Sequence, residues 1–240
     1  MRLLHAELTK IRTAPWTTVT LVLALLAIMA LAAAGISNDA ENGITADPES
    51  DIIDAAGIST IFTLIFGILI VTWDYRHGTI TQTFLAAPRR ERVMAAKLVT
   101  AIVLSLVLAV LALTLAIVIA NVWLGDVFHF TDEEWTQASR IVAGAGLWAV
   151  LGLGLGATLQ TQVGALISAL IWFLVVEQIL VGLGSRIWDI GYYLPGQALT
   201  QFASVGAPEH LSRATALALA AAYALGLAAL GTVMVLRRDV

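Results

Sequence analysis

The chain has 240 residues, of which 59% are hydrophobic and 12% charged, and its formal net charge is −4. An average soluble domain has about 25% charged residues, so this composition excludes a soluble globular protein, which needs more polar surface to stay dissolved. The chain has no cysteine, which excludes disulfides, thiol catalysis and metal sites with cysteine ligands.

Long apolar runs recur along the chain, and each is a candidate membrane-spanning helix because about 20 apolar residues cross about 30 Å of hydrocarbon. We therefore predict an all-α polytopic membrane protein, with one transmembrane domain over residues 1–240 that begins with an amphipathic segment, 1–15. The first run could be a signal peptide, but it is longer than the usual roughly 7–15 residues and five runs follow, so we expect a retained helix. The six predicted spans are Trp16–Ile36, Ala55–Trp73, Leu98–Leu124, Ile141–Leu159, Gly164–Gly184 and Ala214–Leu236.

The distribution of charge predicts the topology. With an even number of spans, one side of the membrane holds both termini and the Asp74–Lys97 loop, together with ten of the thirteen basic residues. Most acidic residues lie in the loops of the other side. Because cytoplasmic loops are enriched in Lys and Arg, we expect both termini in the cytoplasm and the chain in the plasma (cytoplasmic) membrane. The basic residues of the opposite side are Arg140, Arg186 and Arg213.

Several kinds of catalytic and metal-binding motif are absent from the sequence. There is no G-x-x-x-x-G-K-[ST] loop for ATP and no H-E-x-x-H or G-x-S-x-G motif. The histidines fall on different segments and on both sides of the membrane, which disfavours a metal site. We therefore predict no catalytic activity, no bound metal and no nucleic-acid partner. These histidines are His5, His77, His129 and His210.

Glu177 is the acidic residue that falls well inside a predicted span. A charge there costs at least about 2.5 kcal/mol, so the carboxyl group should be paired, hydrated or protonated. It could line a translocation path or a subunit interface, or it could be hydrogen-bonded to a neighbouring helix with a purely structural role. In the fourth span, Gly152 and Gly156 form a small-residue pair, which could pack helices within the chain or pair two copies of it, and we expect packing within the chain.

The loop from Asp74 to Lys97 is the most informative segment. Gly78 suits the turn after the second span, Thr79 can cap a short helix, and Pro88 can end one. The helix would have an apolar face and a basic tail, and the alternative is an ordinary loop whose cations bind anionic headgroups. The apolar residues at helical spacing are Ile80, Phe84 and Leu85, and the basic residues after the proline include Arg89 and Arg90.

This loop resembles the signature of the ABC type-2 permease family, the membrane subunits of ATP-binding-cassette exporters. The signature is an acid, Gly-Thr, a short amphipathic helix, Pro with basic residues, and Lys at the start of the third span. Asp74 stands where the family more often has Glu. The amphipathic segment before the first span, the six spans and the long outer loop before the last span also agree. The matching residues are Asp74, Gly78-Thr79, Phe84-Leu85, Pro88-Arg89-Arg90 and Lys97.

The resemblance implies that Thr79–Pro88 is a coupling helix that docks in a groove of a separate ATPase subunit, with Phe84 as the central contact. ATP and Mg would bind to that subunit, and this chain would bind no cofactor. A second permease subunit, identical or closely related, would complete a dimer surrounded by membrane lipids. The residues implied in ATPase coupling are Asp74, Gly78, Thr79, Ile80, Phe84, Leu85, Pro88, Arg89 and Arg90.

The amino-terminal segment has an apolar helical face and a polar face. It could anchor the chain at the membrane interface, or it could contact the ATPase as the connecting helix does in the family, and both can hold together. The residues of this N-terminal interface are Leu4, Leu8, Lys10, Ile11 and Arg12.

The Ser185–Leu211 segment, before the last span, is too long for a tight turn and is rich in aromatic residues. It could form short re-entrant helices that close the outer side of a path, as the family resemblance suggests, or a plain loop anchored at the interface by aromatics. The residues expected in this segment are Trp188, Tyr192, Tyr193 and Pro195.

Three functions remain open from the sequence. The first is the permease subunit of an exporter, whose cargo is unidentified and could be amphipathic. The second is a proton-coupled secondary carrier that uses Glu177, which predicts transport without ATP. The third is a scaffold or immunity protein of the membrane that transports nothing.

Overall fold

A computed structural model describes residues 15–80, 90–125, 128–187, 189–203 and 210–237. This part of the chain consists of helices and their connections, without a strand. The α-helices are α1 (Pro15–Glu41), α2 (Pro48–Ala56), α3 (Ser59–Arg76), α4 (Arg90–Leu124), α5 (Asp132–Leu159), α6 (Gln162–Ile171), α7 (Glu177–Ile187), α8 (Pro195–Ala203) and α9 (Arg213–Arg237). A π-helical turn, Trp172–Val176, joins α6 to α7, and a 3-10 helix, Asp189–Tyr193, precedes α8.

Among the described residues, six helical segments are long and apolar enough to cross a membrane. Each overlaps one predicted span, so the prediction of an all-α polytopic fold is confirmed. The segments are Thr18–Glu41, Pro48–Arg76, Arg90–Leu124, Asp132–Leu159, Gln162–Leu183 and Arg213–Arg237.

Several helices begin before the predicted spans because polar residues start them outside the apolar runs. The Asp47 side chain accepts a hydrogen bond from the Ser50 amide (3.1 Å), and Pro48 occupies the first turn of α2. At α5, the hydroxyl of Thr131 accepts a bond from the Glu134 amide while the Glu134 side chain accepts one from the Thr131 amide. This capping box adds polar turns to the apolar run.

Helix α5 lies at the centre of the bundle, where it packs against α3 and α9. A Cβ atom on Gly67 would overlap the Ala149 carbonyl oxygen, and one on Gly152 would overlap the Leu64 carbonyl oxygen. On another side of α5, a Cβ on Gly154 would lie 2.5 Å from the Leu227 carbonyl carbon. The glycines of α5 therefore bring its backbone against two other helices of the same chain, as small residues do in membranes.

The two ends of the bundle differ in charge. At one, which we call the acidic end, Trp123 Nε1 donates to Glu41 Oε2 (2.9 Å) and Gln137 Nε2 donates to Asp54 Oδ1 (3.0 Å). The opposite end, the basic end, holds the C-terminus of α3, the N-terminus of α4 and the C-terminus of α9. Residues 81–89 follow α3 and precede α4 in the chain and lie outside the described part; we call this stretch loop 81–89 only for its place in the sequence.

Candidate functional site

The basic end contains a buried ion pair between the last turns of α3 and the first turns of α4. Asp74 Oδ2 lies 2.6 Å from Lys97 Nζ, and the two side chains are almost fully buried. Lys97 Nζ also donates to the Ile70 carbonyl oxygen at 2.9 Å. The ion pair therefore ties α3 to α4, and the additional hydrogen bond offsets part of the cost of desolvating the ammonium group.

Thr79 completes this cluster from the chain that leaves α3. Its hydroxyl donates to Asp74 Oδ1 (2.9 Å), and its amide donates to the Asp74 carbonyl oxygen (3.0 Å). The reversal of the chain occurs at Gly78, whose φ of +65° lies in the left-handed region that favours glycine. We call Asp74, Thr79 and Lys97 the anchor cluster, because it fixes the beginning of the loop to the body of α4.

Apolar packing and two longer side chains extend this connection to neighbouring helices. Ile80 is 8% exposed and belongs to an apolar cluster with Val93 and Val235. Arg90 Nη1 is 3.5 Å from the Val235 carbonyl oxygen, and Arg76 Nη1 donates to Gln162 Oε1 at 3.1 Å. The ends of α3, α4, α6 and α9 are thus joined around the root of loop 81–89. A displacement of that root must act on α3 and α4 together.

The structure brings together the predicted coupling residues that it describes, namely Asp74, Gly78, Thr79, Ile80 and Arg90. Lys97, which the family signature gave only as the start of the third span, is the direct partner of Asp74. The sequence carries no clear signal for this burial, because long basic side chains near the ends of membrane-spanning helices usually extend to the interface. Other predicted residues lie outside the described part: Phe84, Leu85, Pro88 and Arg89, with Leu4, Leu8, Lys10, Ile11 and Arg12 of the N-terminal interface.

Glu177 is 1% exposed and is hydrogen-bonded within the bundle. Its Oε1 atom accepts a bond from Trp172 Nε1 (3.0 Å) and one from the Gly196 amide (3.0 Å). Gly196 lies in the first turn of α8, so the carboxyl group joins the fifth span to the segment that precedes the last one. Both donors are neutral groups, so the contacts agree with the expectation of a Glu177 hydrogen-bonded to a neighbouring segment, and its role in transport stays a prediction.

The segment before the last span forms short helices, one of which enters the bundle. Helix α8 begins at Pro195 and packs against α5 and α9, with Ala198 and Leu199 buried. The Tyr192 ring stacks on His210 with centroids 3.6 Å apart, whereas Tyr193 is 48% exposed. Trp188 lies outside the described residues. Of the two expectations for this segment, the arrangement of α8 agrees with helices that dip into the bundle.

Three carboxyl groups meet at the acidic end. Oxygen atoms of Asp47, Glu49 and Glu134 lie within 4.8 Å of one another. Glu49 accepts a bond from the His129 amide (3.2 Å), and Glu134 belongs to the capping box of α5. These carboxylates accept hydrogen bonds from backbone amides of loops and helix ends. The prediction that the chain binds no metal stays a prediction.

No protein-family model matches this chain, and no curated protein matches it either. The resemblance to ABC type-2 permeases therefore rests on the Asp74–Lys97 motif and on the arrangement of spans.

Proposed function

We propose that the chain is the membrane-spanning permease subunit of an ATP-binding-cassette exporter of the type-2 family. The observation that carries this proposal is the anchor cluster. Its residues, Asp74, Thr79 and Lys97, belong to the motif on which the family resemblance depends, and they meet at the root of loop 81–89. A loop that receives force from an ATPase needs such an attachment to the spans.

In the proposed mechanism, the ATPase subunit acts on the coupling helix Thr79–Pro88, which overlaps loop 81–89 from residue 81 to residue 88. The anchor cluster passes the displacement to α3 and α4 as one unit. Because the backbones of α3 and α5 touch at Gly67 and Gly152, movement of α3 also shifts α5. The spans tilt, and a path between two protomers opens toward the acidic end.

The partners follow from this mechanism. A separate ATPase subunit binds ATP and Mg, and a second permease subunit, identical or related, forms the other wall of the path. The first and fifth spans are the least buried within the chain, which leaves their surfaces for lipids and for the second subunit. The basic end faces the cytoplasm by the positive-inside rule, and the membrane is the plasma membrane. The cargo is unidentified, and an amphipathic molecule is one candidate.

The test is a gentle purification of the tagged chain from its native membrane, followed by mass spectrometry of the proteins that remain bound. We expect a stoichiometric soluble protein with a P-loop. Phe84→Asp should abolish its binding because a charge would replace the central apolar contact. Ile44→Asp, at a residue 73% exposed near the acidic end, is the matched control and should retain the ATPase.

The other outcomes favour the other functions. A chain that purifies alone, and leaves the ATPase activity of membrane vesicles unchanged, contradicts the exporter. Flux that survives without ATP and is lost in Glu177→Gln indicates the proton-coupled carrier. Absence of any flux in reconstituted vesicles indicates a scaffold or immunity protein.

A further inference from the structure

Glu177 holds the first turn of a helix in another part of the chain. The first amides of an α-helix have no partner within the helix, and a carboxylate is favoured near them by the helix dipole. In α8, Pro195 has no amide hydrogen, so Gly196 offers the first one, and it donates to Glu177 Oε1. The side chain of the fifth span therefore caps α8 as a local N-cap residue would.

The close approach of Glu177 requires glycine at position 196. A Cβ atom there would overlap Glu177 Oε2 and would lie 3.0 Å from Phe173 Cδ1. Phe173 is itself fixed against α5, since its ring meets the Trp148 ring edge-to-face with centroids 4.7 Å apart. The contact between the fifth span and α8 is therefore closely packed on both sides of the carboxyl group.

The π-helical turn Trp172–Val176 orients the carboxyl group of Glu177 toward Gly196. The Glu177 amide donates to the Trp172 carbonyl oxygen, five residues back, and the Trp172 indole donates to the Glu177 side chain. In an α-helix, residues five apart point in directions roughly 140° apart, so this pair could not meet. The wider π turn brings the side chains of Trp172 and Glu177 to the same side of the helix, where they meet. Such turns inside α-helices are frequent at functional sites.

We propose that Glu177 acts as a latch. While residues 172–176 form the π turn, its carboxyl group caps α8 and holds this helix against α5 and α9. Conversion of residues 172–176 to α-helical bonding shifts the register by one residue, which turns Glu177 away from Gly196 by roughly 100°. Helix α8 then loses its cap and separates from α5 and α9. The latch needs no ATPase partner, so its test is independent of the exporter proposal.

The experiment measures the exposure of α8 in the full-length chain. Because the sequence has no cysteine, Ala198→Cys places a single thiol on the buried face of α8, where Ala198 is 0% exposed. A water-soluble maleimide labels this thiol in detergent micelles, in which both ends of the bundle are accessible. With Glu177 present, we expect slow labelling that reports transient opening.

Removal of the latch should speed labelling selectively. Glu177→Ala should label the Ala198→Cys thiol at least ten times faster than the chain that keeps Glu177. Gln178→Ala, at the exposed neighbouring residue, should label it within twofold of that reference rate. A thiol at Ala112→Cys, buried in α4, should remain protected throughout. A Glu177→Ala rate within twofold of the unaltered latch, with Ala112→Cys protected, overturns the proposal.

Two further variants keep the test decisive. If Glu177→Ala also exposes Ala112→Cys, the milder Trp172→Phe decides: about threefold faster labelling of α8 alone supports the latch, and no increase overturns it. Deletion of Leu174 removes the extra residue of the π turn and leaves the flanking helix faces in place. It should lower labelling below that of the unaltered chain, and an increase equal to that of Glu177→Ala would overturn the role of the π turn.

Discussion

Asp74 Oδ2 and Lys97 Nζ lie 2.6 Å apart, and both side chains are shielded from solvent. Asp74 lies in the last turn of α3 and Lys97 in the first turns of α4, on either side of the connection between the two helices. A buried pair of this kind stabilises a structure only as a pair, because each charge compensates for the desolvation of the other. The relationship can therefore be tested by removing one partner and then both.

Asp74→Asn and Lys97→Met should each lower the free energy of unfolding by about 3–5 kcal/mol, because each leaves an uncompensated buried charge. The double variant should be less destabilised than the sum of the two single variants. The measurement is a double-mutant cycle from denaturant unfolding in mixed micelles. Arg92→Met, at an exposed position of α4, is the control and should change stability by less than about 0.5 kcal/mol. Additive single effects would mean that the two charges do not interact.

Gly152→Ala should destabilise the bundle by about 1–3 kcal/mol, because its Cβ would overlap the Leu64 carbonyl oxygen and force α3 away from α5. The matched control is Gly144→Ala in the same helix, where a Cβ would have no neighbour within 4 Å. That control should be neutral or stabilising by up to about 1 kcal/mol, since alanine is the better helix former. Thermal unfolding of both variants provides the measurement. Equal effects of the two substitutions would contradict backbone contact between α3 and α5.

The sequence was sufficient for the six spans because each contains an apolar run long enough to cross a membrane. It was not sufficient for α2, since hydropathy does not register a helix that begins with polar residues, although Asp47-Pro48 is a recognisable N-terminal signal. The glycines of α5 indicated close helix packing. Their partners, Leu64 of α3 for Gly152 and Leu227 of α9 for Gly154, could not be predicted because the pairing of helices depends on the whole bundle.

For the candidate site, the sequence identified the order of Asp74, Thr79 and Lys97 but not their contact. The same limit applies to Glu177: its position in a span predicted a carboxyl group that is paired, hydrated or protonated, whereas Gly196 lies too far along the chain to be recognised as the donor. The π turn before it has no signature in the hydrophobic pattern, because residues 172–176 are all apolar and an extra residue among them interrupts no alternation of apolar and polar positions.

Thr79→Val should loosen the root of the loop while it preserves the shape of the side chain. The hydroxyl donates to a buried carboxylate, and a hydrogen bond to a charged group contributes about 1.5–3 kcal/mol. If the loop receives force from an ATPase, this variant should also lower the amount of substrate exported for each ATP hydrolysed. Thr79→Ser keeps the hydroxyl and should retain coupling. Unfolding and the ratio of flux to hydrolysis are measured on the same preparations, and equal ratios in the two variants would contradict a role for this bond in coupling.

The orientation of the bundle can be tested with single thiols, because the chain has no cysteine of its own. Ile44→Cys marks the acidic end at a residue 73% exposed, and Glu91→Cys marks the basic end at an exposed residue of α4. In right-side-out vesicles, a membrane-impermeant maleimide should label Ile44→Cys at once and Glu91→Cys only after permeabilisation, since the basic end is expected in the cytoplasm. The opposite pattern would place loop 81–89 away from cytoplasmic ATPases, and the exporter proposal would then be wrong.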